Sequence, residues 1–360
     1  MPTALRELAP LFLRLGLTAF GGPVAHTATM EAEVVRRRGW LTPTAFLDLV
    51  SATQLVPGPN STELAMHIGY ARARWAGLVV AGTAFIVPAA CVTLGVAWAY
   101  TRYGILPRGQ AILAGVAPVV LAVVAHALWG LGKTAVHSAL TLAIAVAAAA
   151  AVALGVHELL VLAVAGSIAA LDRRVTAGGD PLAPAVDPVA LTTLFGVFAK
   201  AGGLLFGSGY VLIAYLRADL VARLGWFTEA QLVDAIAVGQ ATPGPVFTTA
   251  TFVGYQLAGL AGAAIATLGI FLPAFGFVAL TAPVLPRLRA HRDLAAAIDG
   301  LNAASVGLML AVLAPIAAGA TTRPLLLAGV GLPSLALLVT GRAGPMALLA
   351  GGAGIGLLLG

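Results

Sequence analysis

The chain of 360 residues is 60% hydrophobic and only 9% charged, and it carries a net charge of +6 at pH 7. A soluble domain has about 25% charged residues, so water is not the main solvent here, and Arg gathered in short loops reads as topology rather than as a nucleic-acid surface. Its single cysteine, Cys91, lies inside an apolar segment, which excludes an intramolecular disulfide and a thiolate metal site.

Met1 to Pro10 carries Arg6 and Glu7 and predicts no cleavable signal peptide. The apolar run Leu11 to Phe20 is interrupted by Arg14 and closes on Phe20-Gly21-Gly22-Pro23. A charge at the bilayer centre costs about 2.5 to 3.5 kcal/mol on the lenient scale, so Arg14 calls for an anionic partner, unless it snorkels to the interface. Next, Pro43 to Arg72 is an apolar run cut in the middle by Pro57-Gly58-Pro59. Proline removes a backbone donor and glycine weakens helix, so a break rather than a continuous helix is expected. Each flank has roughly 13 residues, about 20 Å as helix, too short to span alone. The spacing predicts a re-entrant helical hairpin.

Gln54 stands three residues before the break, and Asn60, Ser61 and Thr62 follow it as small polar donors in the first turn of the next helix. Glu63 and His67 are four apart and share one helical face, which suits proton coupling or a local hydrogen-bonded pair. Asp48 lies six residues before Gln54, placed either to pair with a buried base or to face water. Ala111 to Leu131 and Thr134 to Gly155 are span-length apolar segments. The lone His26, His126, His137 and His157 read as packed or interfacial.

Asp172 to Pro188 is polar and loaded with Pro and Gly, so it cannot be membrane helix and serves as a linker. Beyond it the motifs return. Lys200 interrupts the apolar run Leu191 to Leu205, Phe206-Gly207 follows, and Glu229 to Gly259 is cut by Pro243-Gly244-Pro245. Gln240 and Asp234 precede this second break and Thr248 and Thr249 follow it. Asp299 and Asn302 open a late segment, and Leu325 to Thr340 is a further apolar run.

A shift of about 186 positions lays Phe20 to Pro59 on Phe206 to Pro245. It superposes Gly39-Trp40 on Gly225-Trp226, Asp48 on Asp234, Gln54 on Gln240, Arg14 on Lys200, and one Pro-Gly-Pro on the other. Two repeats follow, 1–171 and 189–360, joined by 172–188. About five full crossings per half, an odd number, give the halves opposite topology. The fold class expected is therefore an all-α polytopic membrane protein of two inverted repeats, each with a broken re-entrant hairpin. The loop side richer in Arg, which includes Arg36, Arg37, Arg38, Arg72, Arg74, Arg173 and Arg174, is expected to be cytoplasmic, with the linker inside and both termini outside.

Paired broken helices place helix ends with partial positive charge near the midplane, a device that suits an anion. Arg14, Lys200, Gln54, Gly58, Asn60, Ser61, Thr62, Gln240, Gly244, Thr248 and Thr249 are the candidate binding residues, and Glu63, His67, Asp48 and Asp234 the candidates for proton coupling or pairing. Gly21, Gly22, Pro23, Pro57, Pro59, Gly207, Pro243 and Pro245 form the breaks. No phosphate loop, metal-ligand motif or nucleophile elbow is found, so the reading is a transporter without a cofactor and not an enzyme.

Phe20-Gly21-Gly22-Pro23, Gly39-Trp40-Leu41, Ala52-Thr53-Gln54-Leu55-Val56-Pro57-Gly58-Pro59 with Asn60-Ser61-Thr62-Glu63, and Gln240-Ala241-Thr242-Pro243-Gly244-Pro245 together resemble the chromate transporter family in its long two-domain form. The resemblance implies proton-coupled export of chromate across a bacterial inner membrane, with halves of opposite topology. Sulfate or another tetrahedral oxyanion remains an open alternative, and a homodimer an open assembly. Phe206-Gly207-Ser208-Gly209 departs from the family's Phe-Gly-Gly pattern.

Overall fold

The computed structural model describes residues 2–19, 22–53, 56–103, 107–136, 138–154, 161, 164–165, 191–205, 211–283, 303–304, 306–307, 310 and 324–359. Every described element is helical. The first half contains α1 (Pro2–Thr18), α2 (Gly22–Glu31) ending in a π turn (Ala32–Arg37), α3 (Pro43–Thr53), α4 (Asn60–Tyr103), α5 (Pro107–Ala135) and α6 (Ala139–Ala153). The second contains α7 (Leu191–Leu204), α8 (Leu212–Leu216) with its π turn (Arg217–Arg223), α9 (Glu229–Ala241), a short 3-10 turn (Val246–Thr248) and α10 (Thr249–Thr281). Past Pro324–Leu326 and a π turn (Leu327–Gly331) come α11 (Leu332–Val339) and α12 (Pro345–Leu359). Helix is what a chain rich in Ala, Leu and Val forms where no water can serve its backbone.

Both Pro-Gly-Pro elements stop a helix. α3 ends at Thr53 and helix resumes at Asn60; α9 ends at Ala241 and helix resumes beyond Pro245. Gly58 (φ 137°) and Gly244 (φ 87°) occupy backbone that a side chain would strain. A second interruption lies inside each following helix, where the runs Pro43 to Arg72 and Glu229 to Gly259 close. In α4 it falls at Ala73 (φ −145°, ψ 27°) and Arg74 (φ 53°, ψ −139°), and in α10 at Ala258 (φ −147°, ψ 29°) and Gly259 (φ 58°, ψ −146°). The chain doubles back there. Residues eight apart in a straight helix are about 12 Å apart, yet a Cβ on Gly69 would strike the carbonyl of Gly77, and one on Gly254 would strike that of Gly262. Two limbs touch backbone to backbone because small residues line the seam.

α1 packs on α4 and α7 on α10, with Gly16 against Phe85 and Pro88, and Gly202 against Ile270. α4 and α10 pack on each other, Gly82 meeting the Phe275 ring. The long limb of α4, 75–103, carries Trp75 and Trp98 outward, 54% and 52% exposed. Those two indoles are about 34 Å apart along the helix, matching an aromatic pair at the two faces of a hydrocarbon layer of about 30 Å. Asn60–Tyr103 and Val246–Thr281 have mean hydropathies of 2.1 and 2.2 over windows only 39% buried. The core helix of a soluble protein would be mostly covered; here Val79, Val87, Leu260, Leu268, Leu272 and Leu280 point outward. Lipid suits that surface as water does not.

Candidate functional site

The two breaks are seated in each other's half. The Gly58 amide donates to the Leu205 carbonyl at 2.8 Å, and the Gly244 amide donates to the Ala19 carbonyl at 2.9 Å. Ala19 follows α1 as Leu205 follows α7, and the same sequence shift relates both the donors and the acceptors. Depth follows from the packing. A Cβ on Gly244 would strike Ala89, midway along the limb 75–103 and about 21 Å from either end. These two amides are therefore staples between the halves: Gly58 and Gly244, expected among the binding residues, each already donate to a backbone acceptor.

At the first break the polar groups are buried and unspent. Glu63 is 0% exposed, and both its carboxyl oxygens, the Thr62 Oγ1 and the His67 Nε2 have no hydrogen-bond partner among the described residues. The Glu63 carboxyl folds back on the loop, lying where a Cβ on Gly58 would go. The local Glu63–His67 hydrogen bond that the four-residue spacing allows is not made. Ser61 is buried beside them and Asn60 half-buried. His26 packs edge-on to Phe85, with ring centroids 5.7 Å apart. Its Nε2 donates to the Ala19 carbonyl at 3.1 Å, the acceptor that also holds Gly244. Sequence reading took His26 as a packed residue, which it is; its tie to the opposite break has no signature in the chain.

The second break carries hydroxyls instead of acid. Thr93 Oγ1, on α4, lies 3.3 Å from Thr242 Oγ1 and 3.1 Å from Thr248 Oγ1, and those two donate to the carbonyls of Val238 and Pro245, each at 2.9 Å. Thr249 Oγ1 donates to the Val246 carbonyl at 2.7 Å. Gln240 Nε2 is buried without a hydrogen-bond partner among the described residues and borders a small cleft with Leu212, Ile236, Val246 and Thr249. Asp234 accepts from the Tyr100 hydroxyl at 2.7 Å, which removes it from the break, and Asp48 stands half-buried on α3. Thr93 and Thr242 were missed because a threonine in an apolar helix is usually satisfied by its own backbone.

Each of the two superposed bases has a carboxylate in its own half. Arg14 pairs with Glu33 at 2.6 Å and Lys200 with Asp219 at 2.6 Å, so the acids are not Asp48 and Asp234, which the sequence reading offered as partners. Glu33 also meets Arg37 at 3.2 Å and Arg38 at 3.3 Å, and Asp219 meets Arg223 at 2.8 Å. The shift that superposes Arg14 on Lys200 also superposes Glu33 on Asp219 and Arg37 on Arg223; that signal was present and unused. Gln54, Gly21, Gly207, Asp299, Asn302, His137, His157 and the 172–188 linker lie outside the described residues, while Gly22 and Pro23 open α2, where proline suits a first helical turn. Among the described residues no group of three or more His, Cys, Asp or Glu could hold a metal.

A family model described as chromate transporter matches residues 6–170 and again 192–357. A chromate transport protein of Cupriavidus metallidurans is 32% identical over 321 residues, 84% of this chain and 80% of that one. A chromate transport protein of Pseudomonas aeruginosa is 32% identical over 335 residues, 86% and 80% of the two chains. A probable chromate transport protein of Synechococcus elongatus is 29% identical over 323 residues, 84% and 82% of the two. No solved structure matches.

Proposed function

The chain belongs to the chromate transporter family, and from that premise we propose that it exports chromate across a bacterial inner membrane, coupled to protons, by alternating access. The three relatives described above are named for chromate, which favours that ion over sulfate. The observation that carries the mechanism is the reciprocal seating of the two breaks at mid-depth, Gly58 on Leu205 and Gly244 on Ala19. A contact returned by its counterpart is what a two-fold relation between halves demands. It supports two inverted repeats, 1–171 and 189–360, of about five spans each, joined by 172–188 and each bearing a broken re-entrant hairpin.

In this reading one half rocks against the other about the two staples, and the chromate dianion is held where the breaks cross. The helix starts at Asn60 and Thr249 bring partial positive charge, Asn60, Ser61, Thr62, Gln54 and Gln240 bring hydrogen-bond donors, and Thr248 and Thr249 join them once their hydroxyls leave the carbonyls of Pro245 and Val246. Arg14 and Lys200 bring full charge. Glu63 is the coupling group: an isolated ionised carboxylate is costly in a dry site, so the residue exchanges a proton as the site meets each side, with His67 one turn away as its relay. The test is chromate flux in proteoliposomes with an imposed pH gradient. The reading expects flux that a protonophore abolishes and that Arg14→Ala or Lys200→Ala cuts sharply; flux indifferent to the gradient would refute the coupling.

A further inference from the structure

We propose that Glu33 and Asp219 are built-in stand-ins for the transported anion, holding Arg14 and Lys200 while the site is empty and yielding them when an oxyanion arrives. The inference rests on the reading that these two bases bind chromate. Three observations carry it.

The first is duplication of the whole cluster rather than of the base alone. Arg14–Glu33–Arg37 and Lys200–Asp219–Arg223 repeat at one sequence shift, with the acid of each cluster 2.6 Å from its base. The second is place. Both carboxylates sit in π turns, Ala32–Arg37 and Arg217–Arg223, a helix form that recurs at functional sites. Both bases stand two residues before the glycines whose carbonyls face the opposite break, Gly16 toward Gly244 and Gly202 toward Gly58. The backbone of each base thus lies within one helical turn of the crossing where the anion is held in this reading.

The third is the standby partner. Breaking a buried ion pair is expensive because it strands a charge, yet here Glu33 keeps Arg37 and Arg38, and Asp219 keeps Arg223, when the base turns away. The exchange of carboxylate for oxyanion strands nothing. The two clusters also differ in access: Asp219 is 2% exposed and Glu33 12%, while Arg14 is 46% exposed and Lys200 20%. Both pairs are closed at 2.6 Å, and the Arg14–Glu33 pair is the more exposed of the two.

Carboxylate and oxyanion then compete for one base, so removing the carboxylate's charge must tighten the anion. The experiment compares full-length wild type with Glu33→Gln and Asp219→Asn, reading chromate affinity by calorimetry on purified protein and KM and Vmax in proteoliposomes. Expected are a Kd and KM for chromate lowered about tenfold, within the usual span of coupling between linked sites, and a lowered Vmax because no carboxylate reclaims the base to expel the ion. A merely structural salt bridge would loosen binding or leave it unchanged, and that outcome in a folded variant overturns the proposal. Should Asp219→Asn fail to fold, Glu33→Gln, at the more open pair, decides alone. Wild type that neither binds nor moves chromate would sink the underlying reading; wild type that does, beside variants that do not tighten, sinks this inference only.

Discussion

The two broken helices share a backbone and differ in chemistry. Around each, the chain stops at Pro-Gly-Pro, donates its glycine amide to the other half, resumes, and reverses at a residue pair with nearly the same dihedrals. Yet the first break holds a fully buried carboxyl and an imidazole Nε2 without partners among the described residues, while the second holds threonine hydroxyls bonded to one another and to carbonyls. A duplicated frame needs both copies intact to form its crossing, whereas a coupling proton needs one acid. The difference separates what symmetry must preserve from what function is free to specialise.

The largest effect tests the shared frame. Gly69→Leu and Gly254→Leu each drive a side chain into a carbonyl of the facing limb, overpacking that costs typically 1 to 3 kcal/mol and more where backbone cannot move. Both should lose folded protein to a similar degree, read as yield and as a monodisperse peak in detergent; a loss confined to one would break the equivalence of the halves. Next comes the asymmetry. Glu63→Gln should abolish the response of flux to a pH gradient while the protein stays folded, whereas Thr249→Val, in the matching stretch of the second half, should leave the gradient response in place and shift KM only.

Thr93→Val sharpens the comparison on the other side. It removes the hydroxyl that reaches Thr242 and Thr248, and a buried hydrogen bond contributes about 1 kcal/mol, so a several-fold rise in KM is expected with the gradient response unchanged. The smallest effect concerns the reversal. Arg74 is the one described non-glycine residue at positive φ, where its counterpart is Gly259. Such strain costs about 1 to 3 kcal/mol, partly offset by the Arg74 guanidinium over the Tyr70 ring at 5.0 Å. Arg74→Gly should raise the thermal midpoint slightly and Gly259→Ala should lower it; the reverse order would mean the reversals are not equivalent.

The breaks were legible because proline and glycine leave no other choice of backbone, and their duplication was legible because tryptophan and proline seldom coincide by accident. The reversal at Ala73–Arg74 was legible only as a loop carrying Arg72 and Arg74: Ala-Arg carries no turn signal, so the tight backbone-to-backbone return was not. Gly69 and Gly77 read as ordinary small residues until the fold lays one on the other. The staples were invisible because a backbone amide and a backbone carbonyl have no letter in the sequence. The carboxylates of Arg14 and Lys200 were within reach, since Glu33 and Asp219 obey the same shift as the bases, whereas Asp48 and Asp234 were open either to pairing with a base or to facing water. The structure instead ties Asp234 to Tyr100.

The most direct test is chromate flux into proteoliposomes of wild type and Glu63→Gln at matched protein content, with and without an imposed pH gradient. The account predicts gradient-driven accumulation by wild type and, for the variant, flux that no longer answers the gradient. Accumulation by Glu63→Gln that follows the gradient as wild type does would contradict it.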